Sequence, residues 1–188
     1  MATGLILVDI QNEYFPGGRM ELTGIEKAAA NAKNVLTLFR DRGWPSFHIQ
    51  HLATKSDAPL FTPDTPYTQL HESIRPLPGE RVIVKHFPNS FHKTRLWQEL
   101  KARNVDQAVI VGAMSHMCID ATTRAAYDLG LKCTLIHDAC ATRDLDFAGQ
   151  HVPAAQVHAS FMAALGWWYA DLVSAADFVA RASESRKP

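Results

Sequence analysis

Three residues remote from one another in the chain carry side chains suited to nucleophilic chemistry: Cys118, Asp9 and Lys85. Cys118 follows the apolar run QAVIVGA (Gln107 to Ala113) and a short turn, GAMSHM, and opens a helical pattern. A strand feeding a helix in this way puts the sulfur at the positive end of the helix dipole, facing a crevice, where a thiolate is stabilised. The arrangement is analogous to the nucleophile elbow of serine hydrolases, although the letters differ. A cysteine there is equally compatible with a structural thiol, so the reading needs a base. Asp9 sits at the tip of the apolar strand LILVD, where a carboxylate is costly unless paired. Capping a loop is the plainer role for it. Lys85 ends a second apolar strand, VIVK, and an ammonium so placed holds both a carboxylate and a developing thiolate. Were strand three one strand removed from strand one, the gap would be roughly 10 Å, which a long lysine helps to close. Together the three supply nucleophile, base and cationic orienter.

The elements that must position them read as alternating strands and helices. Leu5 to Ile10 is a buried strand that empties into the loop QNEYFPGGRM. Gly24 to Arg42 carries Ile25, Ala28, Ala32, Val35, Leu36 and Phe39 at helical spacing and closes at Gly43. Trp44 to Leu52 is a second strand, and 53 to 80, with prolines at 59, 63, 66, 76 and 78, is a long surface excursion of the kind that borders binding sites. Arg81 to Lys85 is a third strand, Arg95 to Arg103 a helix, and Gln107 to Ala113 a fourth strand, apolar on both faces. Ile119 to Leu129 is a helix, Lys132 to His137 a fifth strand and Pro153 to Leu165 a helix. Leu172 and Val173 lie in a sixth strand before a last helix from about 174. With no repeat and no linker, residues 1–188 predict a single α/β domain: a three-layer, mainly parallel six-stranded sheet with helices on both faces, Rossmann-like in plan. In such sheets the ligand crevice lies beyond the carboxyl ends of the strands, near the reversal of strand order. The polar residues expected there are Asp9, His51, Lys85, His86, Ser115 to Cys118, and Asp138.

Composition excludes several other functions. The chain has 188 residues, 47% hydrophobic, with 19 basic and 19 acidic side chains, which gives no electrostatic reason to expect nucleic acid or anionic lipid as a partner. No stretch approaches the roughly 20 apolar residues of a membrane span, and the opening MATGLILVDIQNEYF reads as a strand, not a signal peptide. Cys118, Cys133 and Cys140 are too sparse for a disulfide scaffold and form no CxxC unit, so reduced thiols in a cytoplasmic protein are expected, with Cys133 and Cys140 structural. HESIR at 71 to 75 is not HExxH, and Gly17-Gly18 is a turn rather than a phosphate cradle; no cofactor is implied.

The runs LILVDIQNEYF, VIVKHFPNSF and VIVGAMSHMCIDATTRAAYDLG, followed by HDACAT, resemble the isochorismatase-like cysteine hydrolase superfamily in order and spacing across essentially the whole chain. The resemblance implies a six-stranded parallel sheet between helices and assembly as a homodimer or homotetramer. It places Asp9, Lys85 and Cys118 on the family's triad, with Cys118 as nucleophile, Asp9 as general base and Lys85 as electrostatic partner. It also implies a non-proline cis peptide between Ala113 and Met114, which would direct the Met114 N–H, with that of Cys118, at an oxyanion. Thr122 and Arg124 match the T-x-R after the nucleophile, with structural duties expected. Isochorismatases proper lack the cysteine and cleave a vinyl ether, so Cys118 shifts the expectation to C–N hydrolysis through a thioester, with a small amide-type molecule as substrate. The metal-site Asp-x-His of the family's nicotinamidases is missing here, because Asp57 is followed by Ala58 and Pro59, and no metal is expected.

Phe15, His51, Phe91 and His116 are the expected substrate contacts, since each borders a strand-end loop on the triad's side, and Gln11, two residues after Asp9, is grouped with them as a residue that orients the base. The plainer readings are packing for the two phenylalanines, a loop carbonyl for His51, local backbone for His116 and an ordinary turn for Gln11. Trp167, Trp168 and Tyr169 read as core or subunit contact. Two alternatives stand beside the amidase: hydrolysis of a lactam, imide, hydrazide or ureide on the same triad, and a non-catalytic small-ligand or partner-binding protein that retains Cys118 as a redox-sensitive thiol.

Overall fold

The computed structural model describes residues 2–184. In chain order its regular elements are β1 (Ala2–Val8), α1 (Ile25–Arg42), β2 (Ser46–His51), β3 (Arg81–Lys85), α2 (Leu96–Ala102), β4 (Val105–Ala113), α3 (Asp120–Asp128), β5 (Lys132–Ala141), β6 (Leu145–Phe147), β7 (Gln150–Val152), α4 (Ala154–Trp168), β8 (Asp171–Val173) and α5 (Ala175–Glu184). Six strands form one parallel sheet in the order β3-β2-β1-β4-β5-β8, while β6 and β7 make a separate antiparallel hairpin.

Alternation along β1 divides the interior into two layers. Leu5 and Leu7 pack with α1 and α5, through Ala32, Val35, Leu36, Phe39 and Phe178. Ile6 and Val8 face the opposite layer, where α2, α3 and α4 contribute Leu96, Leu100, Ala126, Met162 and Leu165. α1 ends where its sequence suggests. Gly43 takes a left-handed conformation and donates its N–H to Phe39 O and Arg40 O, closing the last turn.

Strand order reverses at β1, flanked by β2 on one side and β4 on the other. β1 and β4 run so close that glycine is required at 112: its φ is 126°, and an added Cβ would lie 2.0 Å from Val8 O. The sequence places the bounds of β3 as found, but β5 continues four residues past His137. Its register shifts so that Gly112 and Ala113 pair with Cys140 and Ala141, which leaves a bulge between Leu135 and Cys140. Asp138 falls in that bulge and caps α5 by accepting the Ala175 N–H at 2.8 Å. The hairpin was not anticipated. It turns on Ala148 and Gly149, both at positive φ.

The 53 to 80 excursion forms only two short 3₁₀ turns, Pro66–Thr68 and Glu72–Ile74. It is laced to the segment after β1: Asn12 N–H donates to Gln69 O, His71 N–H to Ile10 O, and the Phe61 N–H to the buried Glu13 carboxylate at 3.0 Å. α4 runs through Trp168 instead of stopping at Leu165, and Trp167 and Trp168 are 87% and 65% exposed, so they are not core residues. No helix among the described residues is long and apolar enough to cross a membrane.

Candidate active site

The carboxyl ends of β1, β3 and β4 bring the three side chains together. Asp9 follows β1 with φ 52°, a left-handed conformation that turns the chain off the sheet; aspartate tolerates it better than most residues. Lys85 is the last residue of β3, two strands away, and its stem reaches back beneath β2. Cys118 lies in a π-helical turn, Ser115–Ile119, that leads from β4 into α3. The peptide joining Ala113 to Met114 is cis, and Met114 O accepts the N–H groups of Met117 and Ile119. Lys85 Nζ stands 2.7 Å from Asp9 Oδ2 and 3.2 Å from Cys118 Sγ. It also donates to His51 Nδ1 and Phe87 O, both at 3.0 Å. Its three protons thus have three hydrogen-bond acceptors, Cys118 Sγ, His51 Nδ1 and Phe87 O, and Asp9 is held beside it as an ion pair.

Burial and mutual pairing shift the titration of all three groups. Asp9 is raised above its ordinary value by desolvation, against the opposing pull of the Lys85 charge and of hydrogen bonds from Lys85 and Cys118. Lys85 is raised, because Asp9 and Cys118 outweigh the desolvation that would lower it. The Cys118 thiol is pushed well up, first by desolvation and then by Asp9, against the opposing effect of Lys85. Burial thus opposes the stabilisation of a thiolate by the helix dipole, and a proton leaving the sulfur needs an acceptor. Asp9 is the carboxylate beside it, and its raised pKa makes it the stronger base.

His51, Gln11 and the aromatic side chains sort differently. Gln11 is wholly buried; its amide donates to His51 O and Thr68 O, and its Oε1 accepts the His51 N–H at 2.8 Å. With its carboxamide spent on the backbone it is a brace that fixes the end of β2, which replaces the role expected of it. Phe15 stacks face to face on His71 with centroids 3.6 Å apart. Phe91 packs on the α2–α4 layer, and its N–H donates to Asn89 Oδ1. His116 is held by Thr142 Oγ1 at 2.6 Å, a side chain rather than local backbone. Thr122 Oγ1 accepts the Ser90 N–H, and Arg124 pairs with Asp120 at 2.9 Å and covers the Tyr169 ring.

Two neighbours escape sequence reading. Tyr14 is buried and its hydroxyl pKa is raised well above normal, by desolvation first and then by Asp9, Cys118 and Glu13. It lies five residues after Asp9, which is the one available signal. Phe61 packs on Tyr14 at 5.5 Å and on His51 at 4.6 Å, and nothing in the loop sequence marks it. Ligand atoms of Asp9, His51 and Cys118 lie within 4.8 Å of one another. The Lys85 ammonium already stands among them, and a metal ion would have to displace it.

Comparison with known proteins shows the family. The Isochorismatase domain profile matches residues 3–163. The chain belongs to the isochorismatase family of hydrolases. It is 49% identical over 179 residues to the isochorismatase family protein YddQ of Bacillus subtilis (strain 168), covering 95% of this chain and 99% of that one. A crystal structure described as an isochorismatase hydrolase from Oleispira antarctica superposes with a TM-score of 0.92 at 47% identity, covering 95% of this chain and 96% of the other. A streptothricin hydrolase of Streptomyces noursei is 31% identical over 165 residues, 86% of this chain and 59% of that protein.

Proposed function

We propose that this isochorismatase-family protein hydrolyses a C–N bond of a small amide-type substrate through a thioester on Cys118. Asp9 accepts the thiol proton as the sulfur attacks the carbonyl carbon. The backbone N–H groups of Met114 and Cys118 donate to the tetrahedral oxyanion. As the C–N bond breaks, Asp9 returns the proton to the departing amine. Water then attacks the thioester, losing a proton to Asp9; the acid leaves, and the proton returns to the sulfur. Lys85 keeps its charge throughout, balancing Asp9 in the resting state and the sulfur as its proton leaves. Phe15, His51, Phe91 and His116 border the substrate in this reading.

The observation that carries the proposal is the pair of contacts from one buried ammonium, 2.7 Å to a carboxylate and 3.2 Å to a thiol. Burying three ionisable groups costs several kcal/mol per ion unless they are paired, and a purely structural role for the cluster would be served better by apolar side chains. The likeness to a streptothricin hydrolase supports hydrolysis at a small molecule. A panel of carboxamides, lactams and ureides, assayed for ammonia or amine release, tests it. Turnover of at least one class by the wild type and none by Cys118→Ala is expected; equal turnover by the folded variant overturns the proposal.

A further inference from the structure

Of the four side chains that meet around the Lys85 ammonium, Asp9 and Lys85 have no exposed side-chain surface and Cys118 is 4% exposed. His51 keeps 16% of its side chain exposed. A molecule that reaches the sulfur from solvent therefore meets the His51 ring at the edge of the cluster.

Hydrogen-bond accounting fixes the tautomer of that ring. An ammonium only donates, so His51 Nδ1, 3.0 Å from Lys85 Nζ, is the acceptor, and the ring proton of the neutral form sits on Nε2. Desolvation, followed by the positive charge of Lys85, pushes the imidazole pKa down to about 3. The carboxylate facing the ring, Asp9, stands 4.0 Å away and is already paired with Lys85. The ring is also held in place. Gln11 clamps the His51 backbone on both its N–H and its carbonyl, and Phe61 lies against the imidazole with centroids 4.6 Å apart. A neutral donor with a fixed direction, partly open to solvent beside a nucleophile, has the attributes of a preorganised recognition group.

We propose that His51 determines specificity: its Nε2–H donates to a second acceptor oxygen on the substrate, a few bonds from the scissile carbonyl, so that the site selects amides bearing another carbonyl over plain alkyl amides. This rests on the amide hydrolysis proposed above. A plain alkyl chain leaves the donor unpaired in a water-poor site, which lowers kcat/KM by about ten- to a hundredfold.

Malonamide and butyramide, both uncharged and similar in length, are the probes. Two variants separate the ring nitrogens. His51→Asn keeps an acceptor near Nδ1 for Lys85 but lacks the outer donor; His51→Gln places an amide N–H near Nε2. Wild type is expected to favour malonamide at least tenfold in ammonia release. His51→Asn should lose that preference, measured as the ratio of kcat/KM for the two amides, and His51→Gln should recover most of it. Preference unchanged in His51→Asn overturns the proposal. Imidazole ¹⁵N spectra of Cys118→Ala give a reading independent of turnover and of how the His51 variants fold. A neutral Nε2–H tautomer at pH 7 that shifts on adding malonamide and not butyramide supports the assignment. An Nδ1–H or cationic ring, or no response to malonamide, refutes it. A responding ring in a protein whose wild type turns over no member of the carboxamide, lactam and ureide panel would sink the hydrolysis reading while leaving the recognition role intact.

Discussion

Replacing Lys85 with methionine keeps the length of the side chain and removes its charge, leaving Asp9 fully buried without the cation that now stands at 2.7 Å. Stripping one partner from a buried pair costs about 3–5 kcal/mol. Protonation limits that penalty: neutralising at pH 7 a carboxyl with an unfolded pKa of about 3.9 costs about 4 kcal/mol. Folded Lys85→Met protein therefore keeps a proton on Asp9 that the unfolded chain has lost. Stability must then fall by about 1.4 kcal/mol for each pH unit above the unfolded pKa, until the folded carboxyl ionises. The sign is that of an acid with a raised folded pKa, a direction already present in the wild type, where Asp9 stands above its ordinary 3.8. Urea unfolding at pH 5, 6 and 7, with Asp9→Asn/Lys85→Met as reference, reads the effect. The single variant should lose about 2.7 kcal/mol more than the double variant between pH 5 and 7. Equal pH slopes would refute the view that Lys85 is what compensates the Asp9 charge.

Two further outcomes follow from other parts of the fold. Gly112→Ala puts a Cβ 2.0 Å from Val8 O at a φ of 126°, so β1 and β4 must separate; a loss of about 3 kcal/mol or more in urea unfolding is expected, and a wild-type midpoint would contradict the close approach. Glu80 is desolvated, which alone would raise its pKa, but hydrogen bonds from Arg40 and the Leu77 N–H, with the charges of His48 and Arg40, hold it down at about 2. A carboxyl depressed from 4.5 contributes stability above that value and loses it as pH falls toward 2. The stability gap between wild type and Glu80→Gln, measured by urea unfolding along an acid titration, should therefore close over that window; a gap that stays constant to pH 2 would contradict it.

The local apolar patterns carried most of the architecture. VIVK bounded β3 correctly, the spacing from Ile25 to Phe39 located the buried face of α1, and the alternation of strand and helix was enough for a parallel sheet. What escaped depends on pairing between distant segments. The extension of β5 to Ala141 arises from a register shift against β4, which no window on Lys132 to His137 contains. Phe61 reaches His51 because its N–H meets Glu13 and its carbonyl meets the Ala53 N–H, contacts set by how the long loop crosses the segment after β1. Gln11 looked like a pocket residue for the same reason: its position after Asp9 was legible, but its three backbone partners were not. The contact of Asp9, Lys85 and Cys118 was the easier inference, since each ends or follows an apolar strand. The desolvation of the sulfur was not, because the helix-dipole argument carried no measure of its burial.

The thioester is the step on which the catalytic account depends most. Acid-quenched turnover mixtures of wild type with a substrate from the amide panel, digested and analysed by mass spectrometry, should show the acyl mass on the peptide containing Cys118 alone. Asp9→Asn should slow its formation by about 10²–10⁴-fold. Rapid turnover with Cys118 unmodified at every quench time, or the acyl group on Cys133 or Cys140 instead, would contradict the mechanism.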